Sequence, residues 1–576
     1  MIPRCAPTSC ARSAVNPLAA LSQADHFSRN LCPTRRNADL PASSLDHRLQ
    51  GLASECLHVH VANMPRATWK VGSTMAVDAT MRPVSVLSVS DRRTLSDLES
   101  ASEPVDVVLD QAVRERVASG REFVMRCLAE RRAVYGATTG FGPLVGFVGR
   151  DTDSEQCENL LSHLTAGQGP DLPVPIVRAA VLARLSSLAM GRSGVSASVL
   201  DALAAMLRTT FTPAVPRLGS VGASGDLIPL AHVTQALKGR GHAYADGVRM
   251  PASVALSRCG LRPLELDGRD ALGLVNGVSL TTAAAGLAMA QFIRSHRSAG
   301  LLTAVLVDQL GSGVDFSEHL LLDAFGHPDV VEEAEFLRSA LAGTVPTGNR
   351  PLQEPYTIRC APQLLGAVRA SVRHANQVIL ADLNGISDNP LFFAEHDKVL
   401  HGGNFFGQPV AFAADIMTLA AVQTGNLAER QLDLLVDPHR NGGLPPVLAT
   451  EPGRQHGVQG VQIAATAIVA DMRRTATPAS IQSLPTNLHN QDVVPFGTQA
   501  AFNAFDHVQS LRLLHGSLAL ALRQAVHVGA RKPTAPVCAE VIERLADEIA
   551  PIDPDRPLHD DVRAAADVLD AIAAEA

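Results

Sequence analysis

The chain has few aromatic side chains: one tryptophan, three tyrosines and 17 phenylalanines, 4% of its 576 residues. Sandwiches and barrels rely on aromatic and β-branched residues to cover their pleated faces. That scarcity, beside a hydrophobic content of 46% drawn largely from Ala, Leu and Val, therefore points to closely packed helices. No excess of positive charge is present: 49 Lys and Arg stand against 57 Asp and Glu, a net charge of -8, and dispersed bases of this kind do not bind nucleic acid. Paired cysteines are also missing. Cys5, Cys10, Cys32 and Cys56 fall early, the remainder of the nine lie far apart, and no CxxC occurs. This excludes a zinc site or a disulfide scaffold and indicates a reducing compartment, the cytoplasm. Residues 271–293 would be long enough to span a bilayer, but Asn276, Ser279, Thr281, Thr282 and Gln291 interrupt them, so they read as a buried helix preceded by a loop, with no membrane span. The absence of GxSxG, HExxH and a phosphate loop ending in GK[ST] removes the common hydrolase and nucleotide-binding classes.

Residues 1–85 are rich in Ser, Pro, Arg and Ala, show no sustained period and read as a disordered extension. The first 24 residues carry Arg4 and Arg12 but no apolar stretch typical of an export signal, and Met64, Met75 and Met81 are alternative starts. Helical spacing follows over 110–130, then a Gly- and Thr-rich loop from Gly136 to Gly142. Another helix is expected after Asp171, which caps a first turn containing Pro173 and Pro175. Further helices are expected over 279–298, 317–342, 362–382, 408–435, 457–475 and 497–528. With no repeat at solenoid periods, these long helices favour one bundle.

Chemistry concentrates in a few strings. Gly219-Ser220-Val221-Gly222-Ala223-Ser224-Gly225-Asp226 packs small residues before an abrupt apolar helix start. As a bare tripeptide, Ala-Ser-Gly reads as a Gly-rich turn at a helix N-terminus. The full string instead resembles the signature of the aromatic amino-acid ammonia-lyase and aminomutase family, the histidine, phenylalanine and tyrosine lyases, in which Ala-Ser-Gly becomes 4-methylideneimidazole-5-one (MIO). The chemistry suits the residue types: the nitrogen of Gly225 must approach the carbonyl carbon of Ala223, which a Cβ would obstruct, and Ser224 then loses its hydroxyl as water. The resemblance thus implies an internal electrophile that makes ammonia a better leaving group, with no external cofactor and no metal.

Other strings follow in the family's order over residues 86–576. Tyr135-Gly136-Ala137-Thr138-Thr139-Gly140-Phe141-Gly142 resembles the inner loop carrying the catalytic tyrosine, which makes Tyr135 the candidate base; the plain alternative is a packing tyrosine. Gln353-Glu354-Pro355-Tyr356-Thr357-Ile358-Arg359 supplies Arg359, whose planar guanidinium suits an α-carboxylate. By the same resemblance Tyr356 assists amine or proton transfer and Gln353 hydrogen-bonds nearby. Asn276, in an Asn-Gly pair that could equally be a turn, matches the amide beside the MIO ring. Phe405 in Gly402-Gly403-Asn404-Phe405 is placed near the electrophile, while Asp388-Asn389-Pro390 is structural. The fold implied is all-α: a globular MIO-bearing N-terminal region (86–300) and a long central and C-terminal helical bundle (301–576), of fumarase/aspartase-like architecture. A homotetramer whose sites gather residues from three subunits is implied too.

Two positions address the substrate. His163 occupies the selectivity position, where histidine resembles histidine- and tyrosine-specific members; a core histidine is the bland alternative. In Leu488-His489-Asn490-Gln491-Asp492, Asn490 and Gln491 resemble the phenylalanine and tyrosine lyases, because histidine lyases carry Glu where Gln491 stands. A polar ring-end residue with an uncharged amide points to tyrosine, then phenylalanine, and within the family to the bacterial tyrosine and phenylalanine ammonia-lyases. An aminomutase, a histidine lyase and an inactive helical scaffold or effector are the competing readings.

Overall fold

Helix Ser279–Leu310 is apolar on every side, so it can only be stable if neighbours surround it, and nearly all of it is buried. No proline or glycine-rich break interrupts it until Gly311, whose φ of 65° closes the helix in the left-handed conformation. At 1.5 Å per residue it is about 48 Å long. In the computed structural model, which describes residues 85–147 and 152–575, this helix is the axis of the bundle. Helices Ala361–Leu383, Gln408–Val436 and Gly497–Val528 pack along it, with Gln408–Val436 against both of the others, and His559–Glu575 lies on Gly497–Val528. Ala and Gly make the close approach possible: a Cβ on Gly300 would stand 2.6 Å from the Phe336 ring. The expected disordered extension, residues 1–85, lies outside the described residues except for Ser85.

The all-α expectation holds. Strands among the described residues are confined to four small sheets of two or three strands. Helices Gln111–Ala129, 361–383, 408–436, 459–475 and 497–528 agree closely with the hydrophobic periodicity. Two apolar helical segments are long enough to cross a membrane, and the apolar window of the first, within 270–310, is wholly buried as a core helix would be.

Three expectations are corrected. The helix expected over 279–298 continues to Leu310, crossing residue 300 without a break, because Arg294 and Arg297 are absorbed at its surface and by Phe336 instead of ending it. The span 317–342 is two helices, His319–Phe325 and Pro328–Ala340, separated by Gly326 at φ 78° and restarted by Pro328. Asp171 does not cap the next helix. That helix starts at Val174 after Pro173, whereas the Asp171 carboxylate accepts hydrogen bonds from the Tyr244 hydroxyl (2.8 Å) and Arg249 Nε (2.7 Å), which hold its pKa down against burial.

Candidate active site

The Ala223-Ser224-Gly225 loop is pinned from both sides. The Gly407 amide donates to the Gly222 carbonyl (3.0 Å), and the Asp226 amide donates to the Gly277 carbonyl (2.7 Å). Gly225 adopts φ 79°, and a Cβ there would lie 2.3 Å from the Gly277 nitrogen, so no other residue fits. Ala223 is buried, while Ser224 is partly open and its Oγ accepts a hydrogen bond from Gln491 Nε2 at 2.6 Å. Just behind, the fully buried Asp226 carboxylate accepts from the Ser220 hydroxyl (2.7 Å), the Thr281 amide (2.9 Å) and the Thr281 hydroxyl (2.8 Å). Burial pushes the Asp226 pKa up despite these donors. The cradle fits an internal cyclisation: the chain is tightly bent at glycines, its ends are tethered, and the serine hydroxyl is held by an amide.

Tyr135 stands in a loop closed by its own side chains. Val134 N donates to Thr138 Oγ1 (3.0 Å), Gly136 N to Thr139 Oγ1 (3.1 Å) and Gly142 N to Tyr135 Oη (2.8 Å). The Tyr135 ring meets Phe141 edge-on at 6.3 Å, and Phe141 in turn faces the exposed His163 ring at 6.4 Å. His163 Nδ1 pairs with the Asn159 carbonyl one helical turn earlier (3.0 Å), leaving Nε2 for another partner. Beside the loop is a cavity of about 480 Å³ lined by Tyr135, Thr139, Asn389 and His401.

Asn276 ends helix Asp270–Val275 and precedes Gly277, the residue against which Gly225 is pressed. Its Nδ2 donates to the Asn389 carbonyl (2.9 Å), and its buried Oδ1 has no hydrogen-bond partner among the described residues. Three buried charges hold this corner. Arg269 bonds both carboxylate oxygens of Asp388 (3.1 Å each), and Arg184, its pKa lowered to about 10 by burial, lies 3.8 Å from Asp388 and bonds the Gly273 and Ser387 carbonyls. Half-buried Phe405 is two residues before Gly407 and therefore close in sequence to the loop's tether; Asn490 is exposed, its amide bonding the Asn487 carbonyl (3.0 Å).

The remaining candidates lie elsewhere on the chain. Arg359 stacks over the Tyr356 ring at 4.5 Å and donates to the Glu354 carbonyl (2.8 Å), while Tyr356 is 70% exposed and Gln353 is also exposed. Gln431 Nε2 fixes this segment through the Thr357 carbonyl (3.0 Å) and Thr303 Oγ1 (2.8 Å). Gln431 is 23 residues along its helix from Gln408, and Thr303 is 22 residues from Thr281, so by two independent helices the segment stands about 33–35 Å from the Ser224 end. One chain does not bring Tyr356 and Arg359 to Ser224.

Sequence reasoning missed His401, whose Nε2 accepts from the Tyr135 amide (3.3 Å), and the anchoring carbonyl of Asn389. His401 directly precedes the Gly402-Gly403-Asn404-Phe405 string, which was the available signal.

Comparison with known proteins identifies the family to which this bundle with its pinned Ala-Ser-Gly loop belongs. Residues 94–547 match the family "Aromatic amino acid lyase". The chain is 36% identical over 468 residues to a histidine ammonia-lyase of Symbiobacterium thermophilum, covering 80% of this chain and 92% of that one. It is 37% identical over 497 residues to a tyrosine ammonia-lyase of Cereibacter sphaeroides, covering 81% and 94%. The crystal structure of tyrosine aminomutase from Streptomyces globisporus superposes with a TM-score of 0.78 at 33% identity, over 84% of this chain and 97% of that one. The chain belongs to the aromatic amino acid lyase family and is an enzyme of the ammonia-lyase type.

Proposed function

We propose that this enzyme eliminates ammonia from an aromatic L-amino acid, tyrosine first and phenylalanine second, giving p-coumarate or cinnamate. The observation that carries the reading is the Gln491–Ser224 contact: an uncharged amide, not a carboxylate, stands 2.6 Å from the serine of the cyclising tripeptide. A carboxylate there would suit an imidazole substrate; an amide does not. At the other end, the free Nε2 edge of His163 offers a phenol hydroxyl a partner, and a site built around that bond disfavours a ring lacking it.

Ala223, Ser224 and Gly225 form the MIO group, which supplies an electrophilic methylidene carbon that turns the substrate amine into a better leaving group. Tyr135 removes the β-hydrogen, its oxygen oriented by the Gly142 amide. Asn276 lends its unpaired Oδ1 to the polar end of the substrate, and Phe405 covers the electrophile. Arg359 clamps the α-carboxylate with Tyr356 and Gln353 beside it, and these three come from a second copy. Their separation of about 33–35 Å from Ser224 within a chain, and the exposure of Tyr356, support a homotetramer with shared sites. A cytoplasmic enzyme serving small amino-acid substrates fits this chemistry.

Incubation with tyrosine, phenylalanine and histidine, followed by coumarate, cinnamate and urocanate absorbance, tests the proposal; urocanate as the main product contradicts it. The likeness to tyrosine aminomutase favours a second reading, return of the amine to the β-carbon. Chromatographic separation of β-tyrosine from coumarate decides between them.

A further inference from the structure

Most hydrogen bonds of the described residues in the Tyr135 loop close within the loop, and its tip is bare: Leu144 is 54% and Phe147 69% exposed. Tyr135 itself is tied to a separate element, because its amide points at His401 Nε2 (3.3 Å). The platform beneath His401 is firm. It follows the strand Lys398–Leu400, which pairs antiparallel with Leu391–Phe393, and the next amide, Gly402 N, donates to Asn389 Oδ1 (2.8 Å). Asn389 is held in turn through its carbonyl by Asn276 Nδ2 (2.9 Å) and Arg269 Nη2 (2.6 Å). His401 therefore joins the loop bearing the base to the corner that supports the electrophile.

We propose that His401 is a positioning residue that holds Tyr135 in its working place through a neutral imidazole, and that protonation of His401 releases the loop. An N–H donor requires an unprotonated Nε2, so the ring must be the Nδ1–H tautomer; an imidazolium carries hydrogens on both nitrogens and cannot accept. The charged group acting on the ring is Arg269, paired with Asp388; Tyr135 lines the same cavity, and Asp397, on the same hairpin, is taken up by Arg126 and Arg132. His401 remains accessible from the surface, while partial burial, and secondarily the charge of Arg269, hold its pKa below the ordinary 6.5. The tether is accordingly complete at neutral pH and is lost as pH falls through that lowered value.

The kinetic arm rests on the lyase reading; the exchange arm does not. In His401→Leu the acceptor is gone. Intact mass should show the same loss of two waters as wild type, amide deuterium exchange over residues 133–147 should rise at least fivefold at pH 8, and kcat should fall at least tenfold. His401→Gln restores a carbonyl acceptor that does not titrate. It should recover most of the exchange protection, and the acid limb of its pH profile should move to lower pH than that of wild type. Wild-type exchange and kcat in the Leu variant, or an acid limb in the Gln variant that coincides with wild type, would overturn the proposal. If wild type deaminates none of the three amino acids, the lyase reading fails and the exchange comparison alone decides the tether.

Discussion

Ser224 and Gly225 differ in what they must do, and their variants should fail differently. Ser224→Ala keeps the loop's geometry but has no hydroxyl to lose, so it should fold with unchanged Tm while losing at least about three orders of magnitude in kcat, followed by product absorbance. Gly225→Ala puts a Cβ 2.3 Å from the Gly277 nitrogen at a φ of 79°, which forces the loop apart. It should lose both the dehydrated mass and roughly 1–3 kcal/mol of stability in denaturant titration, the usual cost of such strain. Gln491→Glu should lower tyrosine turnover relative to histidine turnover; an unchanged ratio would remove Gln491 from substrate choice. The residues that the structure gathers around the pinned loop, Tyr135, Ala223–Gly225 and Asn276, could be singled out in the chain because each sits in a string of distinctive residues; Arg359 was singled out in the same way, and the structure places it elsewhere. His401 adjoins one such string but its role was not legible, since its contact is with a backbone amide 266 residues away and no side-chain pattern records that.

At the level of elements, the long helices could be read because their apolar residues recur over many turns, as in Gln408–Val436 and Gly497–Val528. Shorter helices such as Asp153–Leu164, Ala197–Leu207 and Pro536–Glu548 were not, since roughly three turns give too few repeats to set a period. Arg178, Arg184 and Arg269 show the other limit. All three are buried and bonded to backbone carbonyls or Asp388, partners that the sequence does not reveal. Within the bundle, His515 is fully buried on Gly497–Val528, and burial, aided by His296, lowers its pKa to about 3. A histidine kept neutral by the fold stabilises it above the unfolded pKa, and that stability is lost as pH falls from about 6.5 towards 3. His515→Leu should therefore flatten the acid side of the Tm profile, the wild type losing up to about 1.4 kcal/mol more per pH unit in that window. Parallel profiles would show that His515 is not the group responsible.

Across the whole molecule, the separation of Tyr135 and Ser224 from Tyr356 and Arg359 is the main architectural fact. The two long helices that fix it, Ser279–Leu310 and Gln408–Val436, are continuous and packed along their lengths, so no local hinge closes about 33 Å. On the function proposed above, a second copy brings Arg359 to Ser224. Tyr135→Phe and Arg359→Ala chains, each nearly inactive alone, should recover about a quarter of wild-type activity when co-expressed and assembled at random, because some sites then hold both native residues. No recovery in verified hybrids would place the whole site in one chain by a rearrangement of the bundle. All of this chemistry depends on the closure of Ala223-Ser224-Gly225, and intact-mass spectrometry of the purified, untreated enzyme tests that most directly. A mass two waters below that of the translated chain is expected, with the deficit confined to the peptide containing Ser224; the full translated mass in folded protein would contradict the closure.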